Sequence, residues 1–474
     1  MPKVFVSNVG GYVGQSIARA FLAGEHEVVG TLKKGTAPEG VSETLPASKR
    51  KLVEAAMLDC DIIVWTLDTE MKETKSAVRC LQRKSFETEK TLLIVSTALV
   101  WGKAAADAVL SEATFRSRRP PDALLNVKSL ESQALSIRKN NLRVVVVGSG
   151  LLYGRGEDSL HHLFRYAWME SESAELPVLF GHQVAEETGE DAAAAGGDGE
   201  GEEEGKQAPP AKMLNGNNVL PLIHVDDLGS CVAAVAVSPP EELDYVVAVD
   251  EGTSTVREIT SAIAGALNTG AIKDLSEEET AEYLLANSDN AAAFSKLSHN
   301  LKFKTEDAYV HSLGFDWVSK EGIVVTIDTV VDQFKEARNL TPLKVAMIGP
   351  PSLSKQKFAN RIAKKYYLPL LAWKELATEV LAQSSGTEEE PNVLKAEVEA
   401  AGDARPGPEL LGKLFKAKME TGDCQKKGFV LADAPVNAEE AAAIFGAGED
   451  GGEGVDEALK PSAVVLIDGE DEFL

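Results

Sequence analysis

Valine fills four consecutive positions, Val144 to Val147, within an apolar run that starts at Leu142. A strand with one wet face alternates apolar and polar residues, so an unbroken β-branched run describes a strand covered on both faces. Comparable runs stand at Val4 to Ser7, His26 to Thr31, Ile62 to Leu67 and Thr91 to Ser96, with helical patterns between them. Alternation of this kind predicts an α/β fold: a doubly wound parallel sheet with helices on both faces. A helix at about Ile323 to Ala337 closes the unit, Pro342 breaks the chain, and a strand restarts at Leu343. The expected boundary is near residue 340, giving one domain over 1–340 and a second over 343–474.

The chain has 474 residues, enough for two to four domains. It carries 48 Lys and Arg against 74 Asp and Glu, a formal net charge of -26. Such a surface repels phosphate, so neither nucleic acid nor an anionic membrane is an expected partner. No apolar run reaches the roughly 18 residues of a spanning helix, and Met1 leads straight into a strand; both point to a cytosolic setting. Cys60, Cys80, Cys231 and Cys424 are too far apart to form a metal-spacing pair, and no metal site is expected. Three acidic stretches interrupt the pattern: Ala185 to Pro210, Ser384 to Pro391 and Gly446 to Glu457. The longest holds nine acids from Glu186 to Glu204 and little to bury, so the insert 185–210 is expected to be disordered.

The first strand runs into Gly10, Gly11 and Gly14, a turn that lets a pyrophosphate approach backbone N–H groups at a helix start. Ser96-Thr-Ala-Leu-Val-Trp-Gly102 follows later, then Pro120-Pro-Asp, Lys128 and Ile223-His-Val-Asp-Asp-Leu228. In this order and spacing, residues 1–340 resemble the extended short-chain dehydrogenases and epimerases, whose fold is Rossmann-type. The resemblance implies NAD(P) binding through Gly11 and Gly14. It also implies an acid/base Tyr at position 124, where this chain has Leu124, four residues before a retained Lys128. Leucine has no proton to exchange. Asn8 stands where the family has Gly, and its Cβ is expected to obstruct the turn. Thr31 replaces the acidic ribose ligand, and Lys33 and Lys34 after it are read as a solvated loop. His224 and Asp226 are read as structural.

From Leu343 an apolar strand enters Gly349-Pro-Pro-Ser-Leu-Ser-Lys355-Gln356. Gly349 and Lys355 hold their places in a phosphate-cradling Gly-x-x-x-x-Gly-Lys-Ser/Thr loop, while Ser354 replaces the second Gly and Gln356 the Mg²⁺-binding hydroxyl. A helix at Phe358 to Tyr367, a strand at Leu368 to Leu371, Cys424-Gln-Lys-Lys-Gly-Phe-Val-Leu431 and a strand at Ala463 to Asp468 complete the pattern. Residues 343–474 resemble adenylate kinases. The family's Asp-Gly-Phe-Pro falls on Ala432, Asp433, Ala434 and Pro435, its following Arg on Val436, and its AMP-side Thr and Arg on Trp373 and Thr378. The lid and its arginines would lie beyond Leu474, which makes this domain an incomplete P-loop unit. Phosphoryl transfer is positioning plus charge neutralisation, and on this alignment one Lys of that set remains.

A dinucleotide-type domain ahead of an adenylate-kinase-like one resembles the long, ciliary class of adenylate kinases. That resemblance implies a ciliary or flagellar axoneme setting with other axonemal proteins as partners, in a complex of the spoke or central-apparatus type. The degenerate motifs imply a protein with no catalytic residues and no required cofactor. ATP or NAD(P) bound weakly, through Gly349 and Lys355 or Gly11 and Gly14, stays open, as does residual nucleoside monophosphate kinase activity.

Overall fold

The computed structural model describes residues 2–67, 71–105, 108–156, 159–169, 175–179, 215–267, 270–349, 355–382, 393–446 and 459–467. The insert 185–210, Ser384 to Pro391, Ser354 and nearly all of Gly446 to Glu457 fall outside these residues. Two compact units emerge. The first comprises Met1–Ala167, Glu175–Ala266 and Gly270–Phe334; the second comprises Lys335–Leu474 with Trp168–Ala174 and Leu267–Thr269. The division falls inside the Ile327–Ala337 helix.

The first unit is built on a seven-stranded parallel sheet. Across it stand Tyr245–Ala248, Leu142–Ser149, Lys90–Thr97, Ile62–Thr66, Lys3–Val6, Glu27–Leu32 and Glu43–Pro46. Counted in chain order within the sheet, this is 7-6-5-4-1-2-3, the doubly wound arrangement with its switch point between the first and fourth strands. Val4, Val6, Val64, Leu93, Val145 and Val147 pack on one face against Ile17 and Phe21 of the Tyr12–Ala23 helix and Leu228 and Val232 of the Val225–Val237 helix. The residues between them, among them Phe5, Ile63, Ile94 and Val146, are fully buried on the other face. Cover on both sides explains the continuous apolar runs. The two helices approach closely where Gly229 lies over Ser16: a Cβ on Gly229 would stand 2.5 Å from the Ser16 Oγ, which donates to the Val225 carbonyl at 2.7 Å.

Two strands of this sheet are not picked out in the sequence. Glu43–Pro46 buries Leu45 alone, as an outer strand does, and Tyr245–Ala248 is only four residues long.

The second unit carries a four-stranded parallel sheet in the order Leu370–Leu371, Gly428–Leu431, Leu343–Ile348 and Ala463–Leu466. Leu371, Phe429 and Leu431 pack one face against Leu411 and Phe415 of the Pro408–Met419 helix and Ile444 of the Ala438–Phe445 helix. Val345, Met347 and Val430 pack the other against Ala359 and Ala363 of the Lys355–Tyr366 helix.

Candidate functional site

In the first unit, the strand ending at Val6 enters the Gly-rich turn through Asn8. Asn8 has φ 49°, the left-handed conformation that asparagine tolerates best among residues with a Cβ. The turn is formed and not obstructed: the Asn8 N–H donates to the Thr31 hydroxyl at 2.8 Å, and the Asn8 carbonyl accepts from the Gly11 N–H at 2.8 Å. The sequence expectation for Asn8 is thereby corrected. Gly14 is there for packing, since a Cβ on it would stand 2.1 Å from the Asn8 carbonyl oxygen. Gly11 is the N-cap of the Tyr12–Ala23 helix, with no side-chain cap and no acid in the first turn. That helix end is therefore not neutralised by a side chain. The loop after the second strand folds against the same turn, where the Gln15 amide bridges the Gly10 and Thr36 carbonyls.

Thr31 is buried and its hydroxyl belongs to the turn, which accounts for the missing ribose acid. Lys33 and Lys34 both lie exposed in the loop after the second strand, and Lys33 pairs with Glu73 at 2.6 Å. A cavity of about 300 Å³ opens beside Thr31, bounded by Met57, Trp65, Arg50, Lys72 and Glu73.

At the positions matching the dehydrogenase chemistry, the polar groups serve the chain itself. The Lys128 ammonium donates to the Arg118 carbonyl at 2.8 Å. The Thr97 hydroxyl accepts from the Leu99 N–H at 3.2 Å. Below them lies a buried cluster that sequence reasoning missed. Two N–H groups of Arg118 meet one oxygen of Glu131 at 3.0 and 2.6 Å; the other oxygen accepts from Ser96 at 2.5 Å and Tyr245 at 3.3 Å. Arg118 also lies over the Tyr245 ring. Burial first, and the Glu131 charge second, push the Tyr245 hydroxyl well above its usual range, so it stays a donor. No sequence signal marks this pair, because thirteen residues separate its members and only the fold brings them together.

His224 is fully buried. Its Nδ1 accepts from the Asp226 N–H at 3.1 Å and caps the helix, so the ring proton sits on Nε2, 2.7 Å from the Gln333 amide oxygen. Asp226 pairs with Arg155 at 2.5 Å. Asp227 accepts from the Val318 and Ser319 N–H groups at 2.6 and 2.9 Å.

In the second unit, Gly349 ends the Leu343–Ile348 strand, and a Cβ there would lie 2.5 Å from the Ile467 carbonyl oxygen. Lys355 opens the following helix, is buried, and donates to the Gly349 carbonyl at 2.8 Å. The structure thus joins the two residues that the spacing singled out. Gln356 reaches toward Glu375 at 3.5 Å. Two further charged groups close the cluster. Asp433, beside the cis Ala434–Pro435 bond, accepts from the Trp373 N–H with both oxygens, at 3.2 and 3.3 Å, at the head of the Trp373–Ala382 helix. Burial holds its carboxyl above the usual range, opposed by that N–H and by the charges of Arg405 and Lys355. Arg405 forks onto Glu440 at 3.1 and 2.9 Å and donates to the Asp433 carbonyl at 3.0 Å. Arg405 is a second cation beside Asp433, 50 residues beyond Lys355, a distance at which spacing gives no signal. Among the described residues no group of three His, Cys, Asp or Glu could hold a metal ion. No helix among them is long and apolar enough to cross a membrane.

No known family profile matches the chain. It is 24% identical to adenylate kinase 7 of Mus musculus over 473 residues, covering 88% of this chain and 69% of that protein. To adenylate kinase 7 of Macaca fascicularis it is 26% identical over 371 residues, covering 69% of this chain and 60% of that protein. Among solved structures, MoeE5 in complex with UDP-glucose and NAD aligns with a TM-score of 0.47 at 15% identity, over 72% of this chain and 100% of its own. The human epimerase family protein SDR39U1 with NADPH aligns with a TM-score of 0.46 at 16% identity, over 70% of this chain and 99% of its own. The sequence similarity to adenylate kinase 7 thus extends over most of this chain, both of its sheets included.

Proposed function

We propose that the chain is a structural component of the ciliary or flagellar axoneme, of the spoke or central-apparatus type, that uses two enzyme-like folds as binding surfaces for other axonemal proteins and performs little or no catalysis. One observation carries this reading: in both units the groups positioned for chemistry bond to their own chain. Lys128 holds the Arg118 carbonyl, Lys355 holds the Gly349 carbonyl, and Asp433 occupies the head of the Trp373–Ala382 helix, where a substrate anion would otherwise meet free N–H groups. Fold does not dictate function when the site residues differ. The net charge of -26 favours protein partners over nucleic acid or membrane.

The test is titration with MgATP by calorimetry beside a coupled assay for ADP formed from ATP and AMP. Millimolar or weaker ATP binding and no ADP are expected, since each lost positioning group costs a few kcal/mol of nucleotide or transition-state binding. Micromolar binding that disappears in Lys355→Ala, with ADP formation, would replace this reading by the activity in the relatives' name, a nucleoside monophosphate kinase. Detergent extraction of ciliated cells expressing the tagged chain tests the setting: retention with the axoneme supports it, and full release overturns it.

A second reading has its own observation. The uncapped head of the Tyr12–Ala23 helix and the cavity beside Thr31 together suit a nicotinamide dinucleotide held without turnover. Saturable micromolar binding of NAD or NADP, lost in Gly11→Val, would select it.

A further inference from the structure

A second cavity of about 300 Å³ lies in the later half of the first unit, away from the Gly-rich turn. Its walls come from separate pieces of chain, with Val256, Tyr283, Leu284, Phe294 and Leu297 among the apolar lining residues and His162 beside them. None of the lining residues is charged. Its polar side chains are largely engaged: the Asn218 amide donates to the Leu297 and His299 carbonyls at 2.7 and 2.8 Å, and the Thr260 hydroxyl to the Val256 carbonyl at 2.8 Å.

His162 differs. It is 6% exposed, its ring stands edge-on to Phe294 with centroids 4.4 Å apart, and no hydrogen bond of acceptable geometry reaches Nδ1. The Ser159 backbone acts on the ring as a hydrogen-bonding partner, at a geometry too poor to satisfy Nδ1, and opposes the effect of burial. Burial pushes the imidazolium down to about 4, so at neutral pH the ring is an uncharged donor and acceptor in an apolar wall. Without a lysine or arginine, these walls offer nothing to a phosphate or carboxylate. The volume lies at the lower end of the roughly 300–1,000 Å³ of small-molecule sites, which are mostly apolar with a few placed polar groups.

We propose that this cavity is a binding site for a neutral, mostly apolar small molecule with a single hydrogen-bonding group, which meets His162. The probe is N-phenyl-1-naphthylamine, an uncharged bicyclic amine whose emission rises in apolar surroundings. Saturable one-to-one binding with a Kd below about 100 μM is expected for a ligand of this size. Ser298 lines the rim and is exposed, so Ser298→Trp blocks the entrance without disturbing the core. It should weaken binding at least tenfold. Displacement by 1-phenylnaphthalene, which has no N–H, should require several-fold higher concentration in the native chain, as one net hydrogen bond dictates. In His162→Phe, which keeps the ring size, the two ligands should compete equally. A nucleoside diphosphate should not displace the probe. Non-saturable emission, binding unaffected by Ser298→Trp, or displacement by the nucleoside diphosphate would each overturn the proposal.

Discussion

In the first unit the Gly-rich turn is fully formed, but few charged groups gather around it. Asn8 takes its left-handed conformation, Gly14 allows the close approach, and the helix head carries no side-chain cap, yet Leu124 stands where the resemblance puts an acid/base. In the second unit charged groups remain, and they answer one another: Arg405 with Glu440, Lys355 with the Gly349 carbonyl, Asp433 with the helix head. The difference lies in burial. Arg118 and Glu131 of the first unit are 3% and 0% exposed, whereas Arg405 is 33% exposed beside a Glu440 at 6%. A deeply buried pair is held by the core around it, while a half-open pair is positioned to exchange its partner.

That contrast can be broken by substitution. The largest effect is expected from Glu131→Ala, which leaves Arg118 buried without its counter-charge and should destabilise the first unit by about 3–5 kcal/mol. Glu440→Ala should lower the stability of the second unit by about 1–3 kcal/mol, the range of a charge-assisted hydrogen bond. Hydrogen exchange resolved by segment reads the two separately, and a larger loss for Glu440→Ala would reverse the comparison.

Acid sharpens it next. All seven histidines lie before residue 335, so protonation in the histidine range acts on the first unit alone. Burial lowers His162 from 6.5 to about 4 in the folded state. The unfolded chain therefore binds the extra proton first, and the stability that His162 contributes above pH 6.5 is lost as the pH falls toward 4. At 1.36 kcal/mol per unit this amounts to about 3 kcal/mol. A thermal melt at pH 7 and pH 4.5 should show a larger acid loss in the native chain than in His162→Phe; equal losses would place the proton elsewhere.

The smallest effects concern the two turns. Asn8→Ala should cost the first unit about 1–2 kcal/mol, because alanine resists the left-handed conformation, while Asn8→Gly should be close to neutral. Asp433→Ala removes the acceptor at the Trp373–Ala382 helix head and should cost the second unit about 1 kcal/mol. Chemical denaturation of the three variants checks the order. A costly Asn8→Gly would mean that the amide, and not the backbone conformation, holds the turn.

The sequence carries the sheet well where burial is two-sided. Val144 to Val147 and Ile62 to Leu67 are continuous apolar runs because helices cover both of their faces. Glu43–Pro46 buries only Leu45 and leaves no such trace. Gly349 and Lys355 are legible because loop spacing is local, and they do meet. Arg118 with Glu131 and Arg405 with Glu440 are not, because their pairing follows from tertiary approach. Asn8 is not legible from the rule that a Cβ bars a tight turn, because asparagine tolerates positive φ.

Gln333 reaches His224, and the Asp227 carboxylate holds the backbone at Val318 and Ser319. The Ser16 hydroxyl, near the start of the chain, bonds 209 positions downstream at Val225. During synthesis this sets an order. The earliest strands emerge from the ribosome without the Val225–Val237 helix that covers them, and the clasp at His224 cannot shut until Gln333 has been made. The earliest strands must wait through more than two hundred residues of translation for that cover, at roughly 5–20 residues per second. The second unit begins just two residues after the clasp, so the pause before its own first strand is short. Chaperone demand should therefore be greater for the first part of the message than for the second.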